Sequence, residues 1–362
     1  MSEDSVNQIL YEAALFRAAL IEQYARGVIL TLERIYLQEL VPELHAAILE
    51  SVAALGPNPA WKSPKVIKAL RSVELVLQNK LARVEKQLYR EVAGLGKAEA
   101  SWQQDALKKA LRQALGKNAP RSILQAVDFD APPGEMLRAF AKSKPMDGEF
   151  LSEWFKTLTQ RGQTAARKAI RQGIALGETE KEIAERVLGS KGLKYKNGAL
   201  GPTKNAIAGL ARTAVTHVSV QAREATFAEN ADVVKEVLWV STLDDRTTEI
   251  CQYRDGMRFP PNEGPRPPAH FNCRSTIVPV LKSWSELGID LQEAPTGTRA
   301  ALGGAMPETA TYSDWLKKQD QVTKQRVLGR ERARLFDEGR SFKSLFNEDG
   351  RYLTLAELKA GT

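Results

Sequence analysis

Cys251, His270 and Cys273 are the residues of this chain with the most chemistry to offer. Thiolate and imidazole are the usual donors to structural zinc, and His270-x-x-Cys273 puts two of them on one tight turn. All three fall in one stretch, Val233–Val280, that holds both cysteines and one of the three histidines. Structural zinc takes four ligands in a closed tetrahedron. Asp255 is one candidate for the fourth; Asp244, Asp245, or His217 from the preceding helix are others. Two further readings fit the same spacing. One is a Cys251–Cys273 disulfide, which suits an extracellular particle and not a reducing cytoplasm. The other is a pair of buried thiols beside a hydrogen-bonded His270.

Catalytic readings of the same residues find less support. His270 with Asn272 has the look of a His-Asn-His nuclease, but that fold needs a second histidine downstream, and none follows His270. Cys251 or Cys273 with His270 lacks any legible oxyanion hole or orienting partner. Neither a GxxxxGKS/T phosphate cradle nor a GxGxxG dinucleotide loop occurs. The expectation is a non-enzyme with no catalytic residues, no organic cofactor, and zinc as the one metal the donors suit.

The elements that must position these residues are read from periodicity. Val233–Val240 and Ser275–Val280 read as strands, with an irregular loop between them. Ordering such a loop costs roughly 1–2 kcal/mol per residue in backbone entropy, so it needs a brace. Within it Asp255-Gly256 is a hairpin-turn pair, Pro267-Pro268 stiffens the return, Asp244 or Asp245 suits a turn cap, and Arg274 suits pairing with an aspartate. The helix over Thr203–Asn230 leads in, with Ile207, Leu210, Ala211, Ala214 and Val218 on one face and Arg212, Thr216, Ser219 and Arg223 opposite. His217 lies at the edge of that stripe.

Upstream, Ser5–Leu55 is helical and acidic, with Pro42 a break or kink. A second helix starts at Ser63-Pro64, Ser as cap and Pro in the first turn, with Leu77, Leu81, Val84, Leu88 and Val92 as its stripe. Its charge is basic, as is that of the following stretch through Lys117 and Arg121, which suggests packing against the acidic helix. Thr179 and Glu182 form a capping box. The predicted fold is mainly α. A bundle-like helical region (1–127) and a linker (128–148) precede a helical lead-in plus small α+β domain with a short sheet and a Cys/His-braced loop (149–294). A Gly/Ala-rich linker (295–310) and a helical tail (311–362) follow.

The net charge of +8 permits a polyanionic partner without requiring one. One loop concentrates it: Gly189–Lys204 carries Lys191, Lys194, Lys196 and Lys204 and no acid, a pattern able to track a phosphate backbone without reading sequence. No window reaches the ~18 apolar residues of a membrane helix. Met1–Asn7 lacks a secretory pattern.

Ordered along Ala206–Val280 are Ala211-Arg212-Thr213, Trp239-Val240-Ser241-Thr242, Asp244-Asp245-Arg246-Thr247, Cys251, Asp255-Gly256 and Pro267-Pro268-Ala269-His270-Phe271-Asn272-Cys273-Arg274-Ser275. This series resembles the phage minor head, or head morphogenesis, proteins that include the F protein of phage Mu. The tail, with Thr311-Tyr312-Ser313-Asp314-Trp315, is similar as well. One departure stands out: a common family pattern has a second cysteine at CxxC spacing, and here that place is Arg254. The resemblance implies a minor structural protein of a phage head, made in the host cytoplasm and residing in the virion at the head interior or portal vertex. Implied partners are the portal protein and/or the major capsid protein, with packaged double-stranded DNA, and multiple copies per particle. Implied roles are head assembly, genome packaging or DNA ejection. Trp239, Asp244, Asp245, Arg246, Gly256, Pro268 and Arg274 would be its structural motif. The alternatives are a metal-dependent phage-head nuclease or hydrolase, and a cytoplasmic nonspecific DNA-binding module.

Overall fold

The structure, a computed structural model, describes residues 5–55, 59–115, 129–146, 148–288, 298–302, 304–307 and 309–360. The expected basic residues Lys117 and Arg121, the boundary at 127–128, residue 147 of the first expected linker, and residues 295–297, 303 and 308 of the second lie outside the described residues. The described chain is mainly helical with a small antiparallel sheet, as the patterning predicts. No described helix is long and apolar enough to cross a membrane.

Two compact units emerge, and neither is a continuous stretch: Glu22–Leu95 with Arg138–Val218, and Met1–Ile21 with Gly96–Leu137 and Ser219–Thr362. These units cut across the linear division into 1–127, 149–294 and 311–362 expected from the sequence. The chain leaves each unit and returns to it, which periodicity along a sequence cannot reveal.

The first unit is helical. After α1 (Val6–Ile35) a π-helical turn at Tyr36–Leu40 leads into α2 (Val41–Leu55). Pro42 has no N–H to give to the turn before it, and the wider turn absorbs the missing bond where a break or kink was expected. α3 (Pro64–Ala93) begins as read: Ser63 Oγ accepts from Val66 N at 3.3 Å with Pro64 in the first turn. Its buried stripe runs Val66, Leu70, Val73, Leu77, Leu81, Val84, Leu88 and Val92, and it packs on α2 and on α6 (Leu151–Ala175). Lys80–Glu43, Arg83–Glu39 at 2.9 Å and Arg167–Glu74 at 2.6 Å join basic to acidic positions inside this bundle. The opposite charges of the two helices therefore meet in packing. The Thr179–Glu182 capping box opens α7 (Glu180–Leu188).

The second unit holds the sheet, ordered β2-β1-β3, with β1 (Val234–Val240) between β2 (Arg258–Phe259) and β3 (Thr276–Leu281). Register places Val237 opposite Phe259 on one side, and Trp239 opposite Ile277 on the other. Val234, Val237, Ile277 and Leu281 bury against Val6 and Leu10 of α1, Leu107 and Leu111 of α4 (Leu95–Leu115), and Val220 and Phe227 of α8 (Gly201–Glu229). Each such side chain contributes roughly 1.5–3 kcal/mol when fully buried. Beside this core lies a charged cluster that the sequence does not announce. Glu99 of α4 accepts from Arg223 Nε at 2.6 Å, Arg17 Nε at 2.8 Å and Gln103 at 2.9 Å, and Arg223 also reaches Thr276 Oγ1 on β3. Arg223 was expected on the polar face of its helix; it is instead fully buried, because Glu99 compensates its charge.

Both expected linkers contain structure. Within 128–148, α5 (Gly134–Ser143) buries Leu137, Phe140 and Ala141; Pro132, Pro133 and Pro145 flank this helix and do not interrupt it. Within 295–310, β4 (Thr298–Ala301) and β5 (Gly304–Pro307) form a hairpin. The tail is not a separate module either. α10 (Tyr312–Lys317), α11 (Gln321–Leu328), α12 (Arg330–Asp337), a 3-10 turn (Phe342–Leu345) and α13 (Leu355–Ala360) enclose a core of Met306, Tyr312, Trp315, Phe336, Phe342 and Phe346. That core includes Leu243 from beyond β1, so the tail is part of the second unit.

Candidate functional site: a thiol-imidazole staple

The loop between β1 and β3 is less irregular than expected. It contains α9 (Glu249–Arg254), which carries Cys251, and the short strand β2. Asp255-Gly256 makes a turn, but between α9 and β2 and not between two strands. Asp255 at φ −58°, ψ 128° and Gly256 at φ +79° are the central residues of a type II turn closed by Met257 N to Arg254 O at 2.9 Å. The return strand is entered through a cis Pro267-Pro268 bond.

This arrangement brings Cys251, His270 and Cys273 together, their ligand atoms all within 4.8 Å of one another. The two Sγ atoms are 3.6 Å apart, and His270 Nε2 lies 3.3 Å from Cys251 Sγ. Both cysteines are buried beneath Trp239, at 2% and 1% exposure, while His270 is half-buried. His270 Nδ1 lies 2.8 Å from the Phe271 carbonyl, which can only accept, so Nδ1 carries the proton and Nε2 presents its lone pair to the thiols and to Thr248 Oγ1 at 2.8 Å. A backbone carbonyl fixing the far nitrogen is the usual support of a metal-binding histidine. The cluster could therefore hold a metal ion, with Cys251, His270 and Cys273 as its donors. A hydrogen bond to Cys273 and burial push the Cys251 thiol above the ordinary value.

The proposed fourth ligands go elsewhere. Asp255 is buried, and its Oδ1 and Oδ2 accept from Ser241 N and Tyr312 N, each at 2.7 Å. Two backbone N–H groups that need an acceptor claim it, so its oxygens serve the frame. Asp244 forms a two-pronged pair with Arg274 at 2.6 and 2.7 Å and caps its own turn through Arg246 N at 3.1 Å. Burial acts to raise its carboxyl, but the Arg274 hydrogen bonds and charge prevail and hold it below the ordinary value. Asp245 pairs with Arg326 at 2.7 Å. His217 lies in the stretch assigned to the other unit. Where a second CxxC cysteine would stand, the Arg254 guanidinium sits 5.3 Å from the Trp239 ring centre. It is a cation beside the thiols in place of a thiolate.

The other motif residues are frame. Trp239 Nε1 donates to Ser241 Oγ at 3.0 Å, and Ser241 Oγ donates to the Cys251 carbonyl at 2.8 Å. Gly256 needs its positive φ, and a Cβ there would sit 3.1 Å from Thr311. Pro268 supplies the cis bond, and Arg246 is solvent-exposed. Two contributors escaped the sequence reading. Glu224 on α8 holds Arg266 at 2.5 and 2.9 Å and fixes the proline-rich loop. Tyr312 OH donates to the Asp244 carbonyl at 2.7 Å from far along the chain. No local signal marks either pair, because the partners lie 42 and 68 residues apart.

The lysine loop lies apart in sequence and is well built. Lys191, Lys194 and Lys196 are exposed, Lys194 and Tyr195 adopt φ of 52° and 59°, and Asn197 Oδ1 closes the loop on Ser190 N at 2.9 Å. Lys204 does not join them. It is 5% exposed, and its Nζ donates to the Lys194 carbonyl at 3.1 Å with Glu33 at 3.9 Å. Its charge props the loop from beneath, a correction to the reading of four phosphate-tracking lysines.

Helical scaffolding, a small three-stranded sheet and a loop stapled by thiols and imidazole define a structural α+β module. Residues 146–278 match the family described as Phage Mu protein F like protein, a match that supports the phage head morphogenesis, or minor head protein, family. Neither a curated protein nor a solved structure matches the chain.

Proposed function

We propose that this chain is a non-enzymatic minor structural protein of a phage head. It docks on the portal protein and/or the major capsid protein at the inner surface, in multiple copies, and assists head assembly, genome packaging or DNA ejection. The observation carrying this reading is that the family match over 146–278 spans the stapled loop, in which the polar groups serve to hold backbone. The crevice beside His270 is about 20 Å³, room for about one water, which suits a brace better than a substrate site. Cys251, His270 and Cys273 hold zinc in this reading, and zinc supplies a cross-link that keeps the loop folded. Lys191, Lys194 and Lys196 contact the phosphates of packaged DNA.

The test is composition: purified particles are assayed for the chain, and the chain for co-purification with portal. Presence in particles together with portal association is expected. Absence from both would remove the proposal.

A further inference from the structure

The second unit has a further recess away from the staple. A partly open cavity of about 450 Å³ lies between the α9 turn and the tail, within the range of ligand sites. Its floor is apolar, from Phe336 and Phe342 with Tyr253 beside them. Its rim carries Lys317, Arg340 and Lys343. The acid in its wall, Asp255, already accepts from two backbone N–H groups at 2.7 Å each and is 4% exposed. Arg340 spends Nη1 on the Leu358 carbonyl at 2.9 Å, which leaves its charge uncompensated, and Lys317 has only a loose, exposed contact with Asp314 at 3.8 Å. Among the described residues no ion pair involves Arg340 or Lys343. A cationic rim over an apolar floor is complementary to a ligand with negative charge flanking an apolar group.

We propose that this cavity docks a short acidic peptide segment of a partner protein, an aromatic or aliphatic side chain resting on the paired Phe336 and Phe342 rings, whose centres are 5.7 Å apart, while flanking carboxylates meet Arg340, Lys343 and Lys317. Duplex DNA fits it poorly. A phosphate backbone on a convex rod meets ridges more readily than recesses, and it has no apolar group to place on the floor.

The probe is a panel of fluorescein-labelled short peptides, each with Phe or Leu at the centre flanked by Asp and Glu, titrated into the full chain and followed by anisotropy. A matched panel carries Lys in place of the acids. Saturable binding of acidic members is expected, weakened about tenfold or more in the Arg340→Gln/Lys343→Gln double variant. Lys343→Gln alone, which gives up no side-chain hydrogen bond or ion pair, should weaken binding while keeping the unfolding midpoint of the parent; the double variant also loses the Arg340 bond to the Leu358 carbonyl. The double variant Lys191→Gln/Lys196→Gln, altered on a different loop, should bind as the parent does. No saturable binding, equal binding of the Lys-flanked panel, or a DNA duplex or inorganic phosphate displacing bound peptide would each overturn the assignment. Peptide binding and incorporation into particles are separate readouts, so either can fail alone.

Discussion

The staple and the tail cavity share a border at Asp255 and differ in almost every other respect. At the staple, the side chains with reactive chemistry converge, yet they bond to one another, to Thr248 and to the Phe271 carbonyl, and the adjoining crevice is about 20 Å³. In the cavity, no nucleophile or metal donor set is gathered, but about 450 Å³ is open and the rim cations lack carboxylate partners in the wall. In the reading proposed above, reactive residue types mark where this unit is fastened, and open volume with uncompensated charge marks where it binds a partner. A sequence displays the first kind of place and conceals the second.

The comparison breaks most readily at Asp255, which serves both regions. Asp255→Ala strands the buried N–H groups of Ser241 and Tyr312, and a loss on the order of 3 kcal/mol is expected in urea unfolding. Asp255→Asn, which keeps one acceptor, should lose less. A loss below about 1 kcal/mol would show that the carboxylate is not the strut described.

Acid separates the stretches of the chain. His217 is buried, and desolvation lowers its pKa to about 4. Its folded pKa lies below the unfolded value of about 6.5, so the neutral form is preferred in the fold. Stability is complete above the unfolded value and falls as pH drops from about 6.5 through about 4, by roughly 3 kcal/mol. His217→Leu should flatten that part of the pH profile. Asp244 is also lowered, from a starting value of 3.8, so its contribution persists above that value and is lost only as pH falls through its still lower folded pKa. Unfolding followed between pH 7 and 3 should thus lose the His217 term first and the Asp244–Arg274 term last.

Smaller effects sharpen the contrast. Arg274→Ala removes the two-pronged partner of Asp244 at a partly exposed site, and about 2 kcal/mol of destabilisation is expected by chemical unfolding. Arg326→Ala breaks a pair whose arginine is 60% exposed, so a change under about 1 kcal/mol should follow. Lys343→Gln at the cavity rim should shift stability by no more than about 0.5 kcal/mol. A large loss there would mean that the rim cation holds the fold and is not held available.

Much of the staple was legible because its residues carry their chemistry in their type. Two cysteines and a histidine in one loop, an aspartate-rich turn and an arginine four residues after the histidine pointed to a cluster and to Arg274 pairing with an aspartate, which the fold makes Asp244. The helix starts at Ser63-Pro64 and Thr179 were legible for the same reason: capping is local. What stayed hidden depends on distant partners. Glu99 and Arg223 are ordinary charged residues until 124 positions of chain bring them to 2.6 Å. Lys204 reads as a surface lysine, yet the carbonyl of Lys194 and Glu33 make its burial tolerable. The α5 helix was masked by its flanking prolines, and the tail's union with the stapled module depends on Tyr312 and Asp255, which only the fold brings together.

The central proposal is that Cys251, His270 and Cys273 fasten the loop and do not cut or transfer anything. The most direct test incubates duplex DNA with the full chain and with His270→Ala across Mg²⁺, Mn²⁺ and Zn²⁺, and measures chemical unfolding of both proteins in parallel. No cleavage above background is expected from either protein, with lower stability for His270→Ala. Robust metal-stimulated cleavage that disappears with His270 would contradict it.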